Sequence, residues 1–161
     1  MNTEAKTEGG GEDDEKSGAC SGTMVDVEEM KRLKSEGNEF FKAKAFKEAA
    51  ASYSGAIDLD QDLETDDLHI LFSNRSAAYH SCQRYQEALD DATQSVSLKR
   101  LFGKGYGRQG DALFGLGKYK EAIEAYELAL TMDGANKPKM KKEIENCKKA
   151  LSQSITPHPL S

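Results

Sequence analysis

The chain contains no tryptophan, three prolines, three histidines and three cysteines in 161 residues. Scarce proline and a charged fraction of 31% favour helices with wetted outer faces over a sheet fold. Cys20, Cys82 and Cys147 form no Cys-x-x-Cys pair, and their odd count argues against a disulfide framework. A reducing compartment, the cytoplasm, is therefore expected. No apolar run is long enough to span a bilayer, and the N-terminal stretch has no apolar core of a signal sequence. A basic excess is missing too: the net charge is −6, which argues against nucleic acid as a ligand. His69, His80 and His158 make no metal-ligand spacing with the cysteines, and no phosphate loop or nucleophile–base set is visible. Neither a cofactor, a metal nor catalysis is expected.

What is present is a strong internal repetition. Phe46-Lys47-Glu48-Ala49-Ala50 recurs as Tyr85-Gln86-Glu87-Ala88-Leu89 and again as Tyr119-Lys120-Glu121-Ala122-Ile123, at offsets of 39 and 34 residues. The same offsets link Leu33, Phe72 and Tyr106, then Gly37, Ser76 and Gly110, then Phe40, Tyr79 and Leu113, then Ala56, Ser95 and Ala129. Columns that share one pair of offsets identify a repeat protein.

Units counted from Met30, His69 and Gly103 place Gly37, Ser76 and Gly110 at position 8 and Ala49, Ala88 and Ala122 at position 20. Position 24 holds Tyr53, Ala92 and Tyr126. This pattern resembles the tetratricopeptide repeat, in which small residues let the two helices of a unit approach and aromatics fill the space beside them. The resemblance implies an all-α, right-handed solenoid of three helix-turn-helix repeats (30–63, 69–102, 103–136) within a domain spanning 25–153. The proline usual at position 32 is replaced by Gln61, Arg100 and Gly134. Five extra residues fall within 61–67, read as a solvated acidic loop of small closure cost.

Met140, Ile144, Cys147 and Leu151 recur at helical spacing, with Lys139, Lys141, Lys142 and Lys148 assigned to the other side. Residues 137–151 are read as the helix that caps the open end of the stack; a basic amphipathic helix for a membrane surface or calmodulin is the alternative. Residues 1–24 hold six acids, two bases and a Gly9-Gly10-Gly11 run, and are expected to form a disordered acidic tail. Residues 154–161 are expected to form a flexible tail. The glycines of the third unit have one explanation, close packing at Gly110; for Gly105 and Gly107 only room in a groove suggests itself.

At 100° per residue, positions 2, 5, 6, 9 and 13 of each first helix share the face away from the packing side. They bring together Lys31, Lys34, Ser35, Asn38 and Lys42; Ile70, Ser73, Asn74, Ala77 and Ser81; and Lys104, Gly107, Arg108, Asp111 and Gly115. Five cations and one acid on one face of an acidic protein mark a groove for anions. The second helices carry mixed signs, as solvated faces do, with Glu48, Asp90, Asp91, Glu121 and Glu124.

Lys34-x-x-x-Asn38, Asn74 within Phe72-Ser73-Asn74-Arg75-Ser76, and Lys104-x-x-x-Arg108 are similar to the two-carboxylate clamp of co-chaperones of the heat-shock protein 70/90-organising type. That resemblance implies an adaptor holding the acidic C-terminal peptide, of Glu-Glu-Val-Asp type, of heat-shock protein 70 or 90. Lys34, Asn38, Asn74, Lys104 and Arg108 would bind its carboxylates, with Phe41, Ser73, Ala77, His80 and Asp111 as further groove contacts. Asp111, the lone acid of the face, is expected either to weaken acidic ligands or to select one with a donor upstream. A monomer is expected, with no nucleic-acid or membrane partner. Two other functions stay open: a scaffold for an unrelated complex, using the convex face or the acidic loop, and a regulatory module from a larger enzyme.

Overall fold

A computed structural model describes residues 19–63 and 65–155. The chain is all-α: α1 (Ala19–Lys42), α2 (Phe46–Leu63), α3 (Leu68–Ser81), α4 (Tyr85–Leu98), α5 (Gly103–Gly115), α6 (Tyr119–Leu130) and α7 (Lys137–Ser154). Helices α1 and α2, α3 and α4, and α5 and α6 pair as three hairpins, each packed on the next, and α7 closes the stack against α6. Helix α1 begins at Ala19, inside the stretch expected to be a tail. The rest of that expected tail, 1–18, and residues 156–161 lie outside the described residues.

The repeat columns have a steric cause. A Cβ at Gly37 would sit 2.6 Å from the Tyr53 ring, and one at Gly110 would sit 2.4 Å from the Tyr126 ring. Only glycine admits these fully buried tyrosines. Where position 24 shrinks to Ala92, position 8 grows to Ser76, whose hydroxyl donates to the Ala88 carbonyl at 2.7 Å. Each hairpin turns through a left-handed residue at the same register: Lys44 and Gln83 at φ 62°, Gly117 at φ 77°.

Apolar burial concentrates at the two ends. Met30, Tyr53, Ile57 and Leu71 centre one cluster, and Leu113, Tyr126, Met140, Ile144 and Cys147 centre the other. The middle repeat joins them with small residues and polar links. Arg75 forks onto Asp91, Nε–Oδ2 2.7 Å and Nη2–Oδ1 2.8 Å, and also donates to Ser54 Oγ at 2.9 Å. Asp91 is therefore buried, not part of the solvated face on which the sequence pattern placed it.

Two further differences concern the insertion and the glycines of α5. With Gln61 in place of a proline, α2 continues to Leu63, so the insertion begins as helix rather than loop. Gly105 is a packing residue rather than a groove opening, whereas Gly107 lines the space between α5 and α7. A Cβ at Gly105 would lie 2.8 Å from Val96, and one at Gly107 would lie 3.2 Å from the Met140 sulfur. Helix α7 starts cleanly because Asn136 Oδ1 accepts from the Lys139 N–H at 3.1 Å and Pro138 follows. Its buried stripe is Met140, Ile144 and Cys147, as the spacing predicts.

Candidate functional site

Three clefts meet at Arg108. The central one, about 280 Å³, is lined by Asn38, Phe41, Lys42, Tyr53, Asn74, Ala77, Lys104 and Arg108. A second, about 270 Å³, shares Phe41, Ala77 and Arg108 and extends past His80, Asp111, Phe114 and Lys139. A third, about 230 Å³, opens between α5 and α7 beside Lys104, Arg108, Asn136, Lys139 and Met140. Four of the five expected clamp positions thus surround one cavity, carried there by α1, α3 and α5.

A chain of hydrogen bonds sets the polarity of that cavity. Tyr53 Oη donates to Asn38 Oδ1 at 2.8 Å, and Lys104 Nζ donates to Asn74 Oδ1 at 3.1 Å. Asn74 Nδ2 lies 3.5 Å from Asn38 Oδ1. Both amide oxygens are therefore occupied as acceptors, which leaves amide N–H groups as the chemistry on offer. Burial, then repulsion from Arg108 and Lys34, pushes the Lys104 ammonium below its usual range. Burial pushes the Tyr53 phenol up to about 12, so it stays a donor at neutral pH. Arg108 makes one long bond, Nη1 to Asp111 Oδ2 at 3.3 Å, and its Nε is buried without a partner. The central cleft is lined by three cations, Lys42, Lys104 and Arg108, and by no acid.

The remaining expectations divide. Phe41, Ala77, His80 and Asp111 do line the clefts. Ser73 does not: its side chain is fully buried and presents no surface to a ligand. Gly115 lies against the Tyr85 ring, where a Cβ would meet it at 2.3 Å, rather than in the groove. Lys34 is drawn aside, its Nζ 2.8 Å from Asp67 Oδ2 of the turn before α3. Asp111 is no free acid in mid-groove. It is 8% exposed and accepts from Tyr126 Oη at 2.9 Å and Lys139 Nζ at 2.8 Å as well as from Arg108.

Sequence reasoning missed three contributors. The repeat pattern places Tyr53 in packing, yet its hydroxyl reaches the groove. Helical spacing puts Lys139 on the outer side of α7, but it reaches Asp111, and its neighbour Met140, aimed inward, is the hint in the sequence. Asp67 sits in the insertion, where no repeat column applies. Among the described residues no cluster of three or more His, Cys, Asp or Glu side chains is placed to hold a metal ion. None of the described helices is long and apolar enough to cross a membrane.

Comparison with known proteins agrees with this architecture. The family model described as "Tetratricopeptide repeat" matches residues 103–136. The Hsp70-Hsp90 organizing protein of Triticum aestivum is 44% identical over 119 residues, 74% of this chain and 19% of that protein. A small glutamine-rich tetratricopeptide repeat-containing protein 2 of Mycosarcoma maydis is 37% identical over 129 residues, 80% of this chain. The chain spans 35% of that relative's length, so it matches a part of each. The first TPR of Spaghetti (RPAP3), solved bound to the HSP90 peptide SRMEEVD, superposes with a TM-score of 0.69 at 30% identity, covering 78% of this chain and 94% of that one. The repeat columns, the hairpin stack and these likenesses together make the chain a member of the tetratricopeptide-repeat family, similar to the domains of Hsp70–Hsp90 organising co-chaperones.

Proposed function

We propose that the domain is a peptide-binding adaptor of the cytosol that holds the acidic C-terminus of heat-shock protein 70 or 90 in the cleft at Arg108. The observation that carries this is the convergence of Asn38, Asn74, Lys104 and Arg108 on one cavity whose amide oxygens are already occupied. A related domain accepts a peptide ending in Asp, which supports the same ligand class for this chain.

The mechanism follows from donor supply. A C-terminal Asp offers two carboxylates a few ångströms apart. Asn38 and Asn74 donate amide N–H groups to the terminal carboxylate, and Lys34 supplies charge there. Lys104 and Arg108 hold the side-chain carboxylate, Arg108 through paired N–H groups. Bringing an anion beside Lys104 also relieves its repulsion by Arg108 and Lys34. Charged hydrogen bonds contribute about 1.5–3 kcal/mol each. Less the cost of ordering the peptide, several of them give micromolar binding, about 8 kcal/mol. That strength suits a transient adaptor.

Calorimetric titration with SRMEEVD tests the assignment. Lys104→Ala or Arg108→Ala should each weaken binding about tenfold or more, since one charged contact exceeds about 1.4 kcal/mol. Unchanged affinity in both variants, with unchanged circular dichroism, would rule the clamp out.

A further inference from the structure

Lys34 is the one expected clamp residue that does not line the central cleft, and it meets a carboxylate of the same chain. Asp67 immediately precedes α3, where an Asp ordinarily turns back to accept from a first-turn N–H. Here it makes no such bond, and its backbone is helical at φ −88° and ψ −13°. Its Oδ2 instead meets Lys34 Nζ at 2.8 Å, with Lys34 three-quarters buried and Asp67 about two-thirds buried.

The turn that presents this carboxylate is itself held in place. The Asp67 carbonyl accepts from the Ile70 and Leu71 N–H groups at 2.8 and 3.0 Å. The Asp67 N–H donates to Thr65 Oγ1 at 3.2 Å, and the Thr65 N–H donates to Asp60 Oδ1 at 3.0 Å. Asp60 is fully buried. The inserted residues therefore place one acid against one clamp lysine from a fixed base. Asp111 holds Arg108 by a longer bond of 3.3 Å, whereas among the described residues Lys104 meets no carboxylate and only the Asn74 amide oxygen.

We propose that Asp67 is a specificity-determining residue: an intramolecular carboxylate that occupies Lys34 and competes with the ligand's terminal carboxylate for it. The inference rests on the proposed function. Its consequence is an unequal reading of the two carboxylates of a C-terminal Asp. The side-chain carboxylate meets Lys104, which is held by an amide oxygen, and Arg108, whose bond to Asp111 is long at 3.3 Å against 2.8 Å for Lys34 and Asp67. The terminal one must first displace Asp67 to gain Lys34. The insertion between the first two repeats thus lowers the weight that the site gives to a free chain end.

The ratio of affinities for acid-ended and amide-ended SRMEEVD reads this weight. Asp67→Asn keeps the backbone contacts of the turn and removes the charge, and Asp67→Ser gives the same comparison with a shorter side chain. Each should tighten the acid-ended peptide about two- to fivefold, the scale of a partly exposed ion pair. The amide-ended peptide should be unaffected. In a Lys34→Ala background, Asp67→Asn should change neither affinity. Equal acid-ended affinity for wild type and both Asp67 variants overturns the inference and leaves the proposed function standing. A gain that persists without Lys34 also overturns it, since the effect would then be general charge. No binding of the acid-ended peptide by any of the proteins overturns the proposed function and this inference with it.

Discussion

Asp111 joins the groove to the core, so its removal should cost stability as well as alter binding. Three donors converge on a carboxylate that is 8% exposed. Tyr126 Oη is the most buried of them, and Asp111→Ala would leave it without an acceptor, at about 1–3 kcal/mol. Lys139 and Arg108 keep 39% and 26% of their side chains exposed, so each lost ion pair is discounted to about 0.5–1 kcal/mol. Alanine returns about half a kcal/mol in helix propensity. The net loss is about 1.5–4.5 kcal/mol, which for a domain of this size lowers Tm by roughly 5–15 °C. Asp111→Asn preserves an acceptor for Tyr126 and should lose only about half as much. Urea unfolding followed by circular dichroism measures both. If Asp111→Ala stays within about 0.5 kcal/mol of wild type, the carboxylate is a solvated groove charge and the network does not hold the fold.

Other consequences are simpler to state. Asp91→Ala leaves the Arg75 guanidinium buried without its partner and should destabilise by about 3–5 kcal/mol, whereas replacing both residues by apolar ones of similar volume should be nearly neutral in the same unfolding assay. Burial holds the His80 imidazole below its ordinary 6.5, an effect that Lys139 and Arg108 reinforce and Asp111 opposes. The folded state therefore prefers neutral His80, so its contribution is present above about pH 6.5 and is lost as pH falls through the folded value. Unfolding at pH 7.5 and 5.5 should show a smaller acid loss in His80→Gln than in wild type; equal losses would place His80 outside the pH response.

The repeats were legible because each column is a local steric rule. Gly37 and Gly110 face Tyr53 and Tyr126 across their own hairpins, sixteen residues away, so the pattern needs no knowledge of distant packing. The groove face was legible for a similar reason, since helical period alone brings Asn38, Asn74, Lys104 and Arg108 to one side. What the pattern could not carry depends on neighbours outside the column. Ser73 shares a helical face with Asn74 but is covered in the fold. Asp91 looks like any second-helix acid until Arg75 reaches it from α3. Lys139 and Asp67 come from the cap and the insertion, elements that follow no repeat, and both alter the charge that the groove presents.

The central claim is that a free carboxylate at a chain end is what the cleft at Arg108 recognises. Calorimetric titration of the protein with SRMEEVD bearing a free acid, and with the same peptide amidated, measures it most directly. The predicted result is micromolar binding of the acid and a clearly weaker amide, because amidation removes the charge that Asn38, Asn74 and Lys34 would hold. Equal affinities for the two peptides would contradict the account.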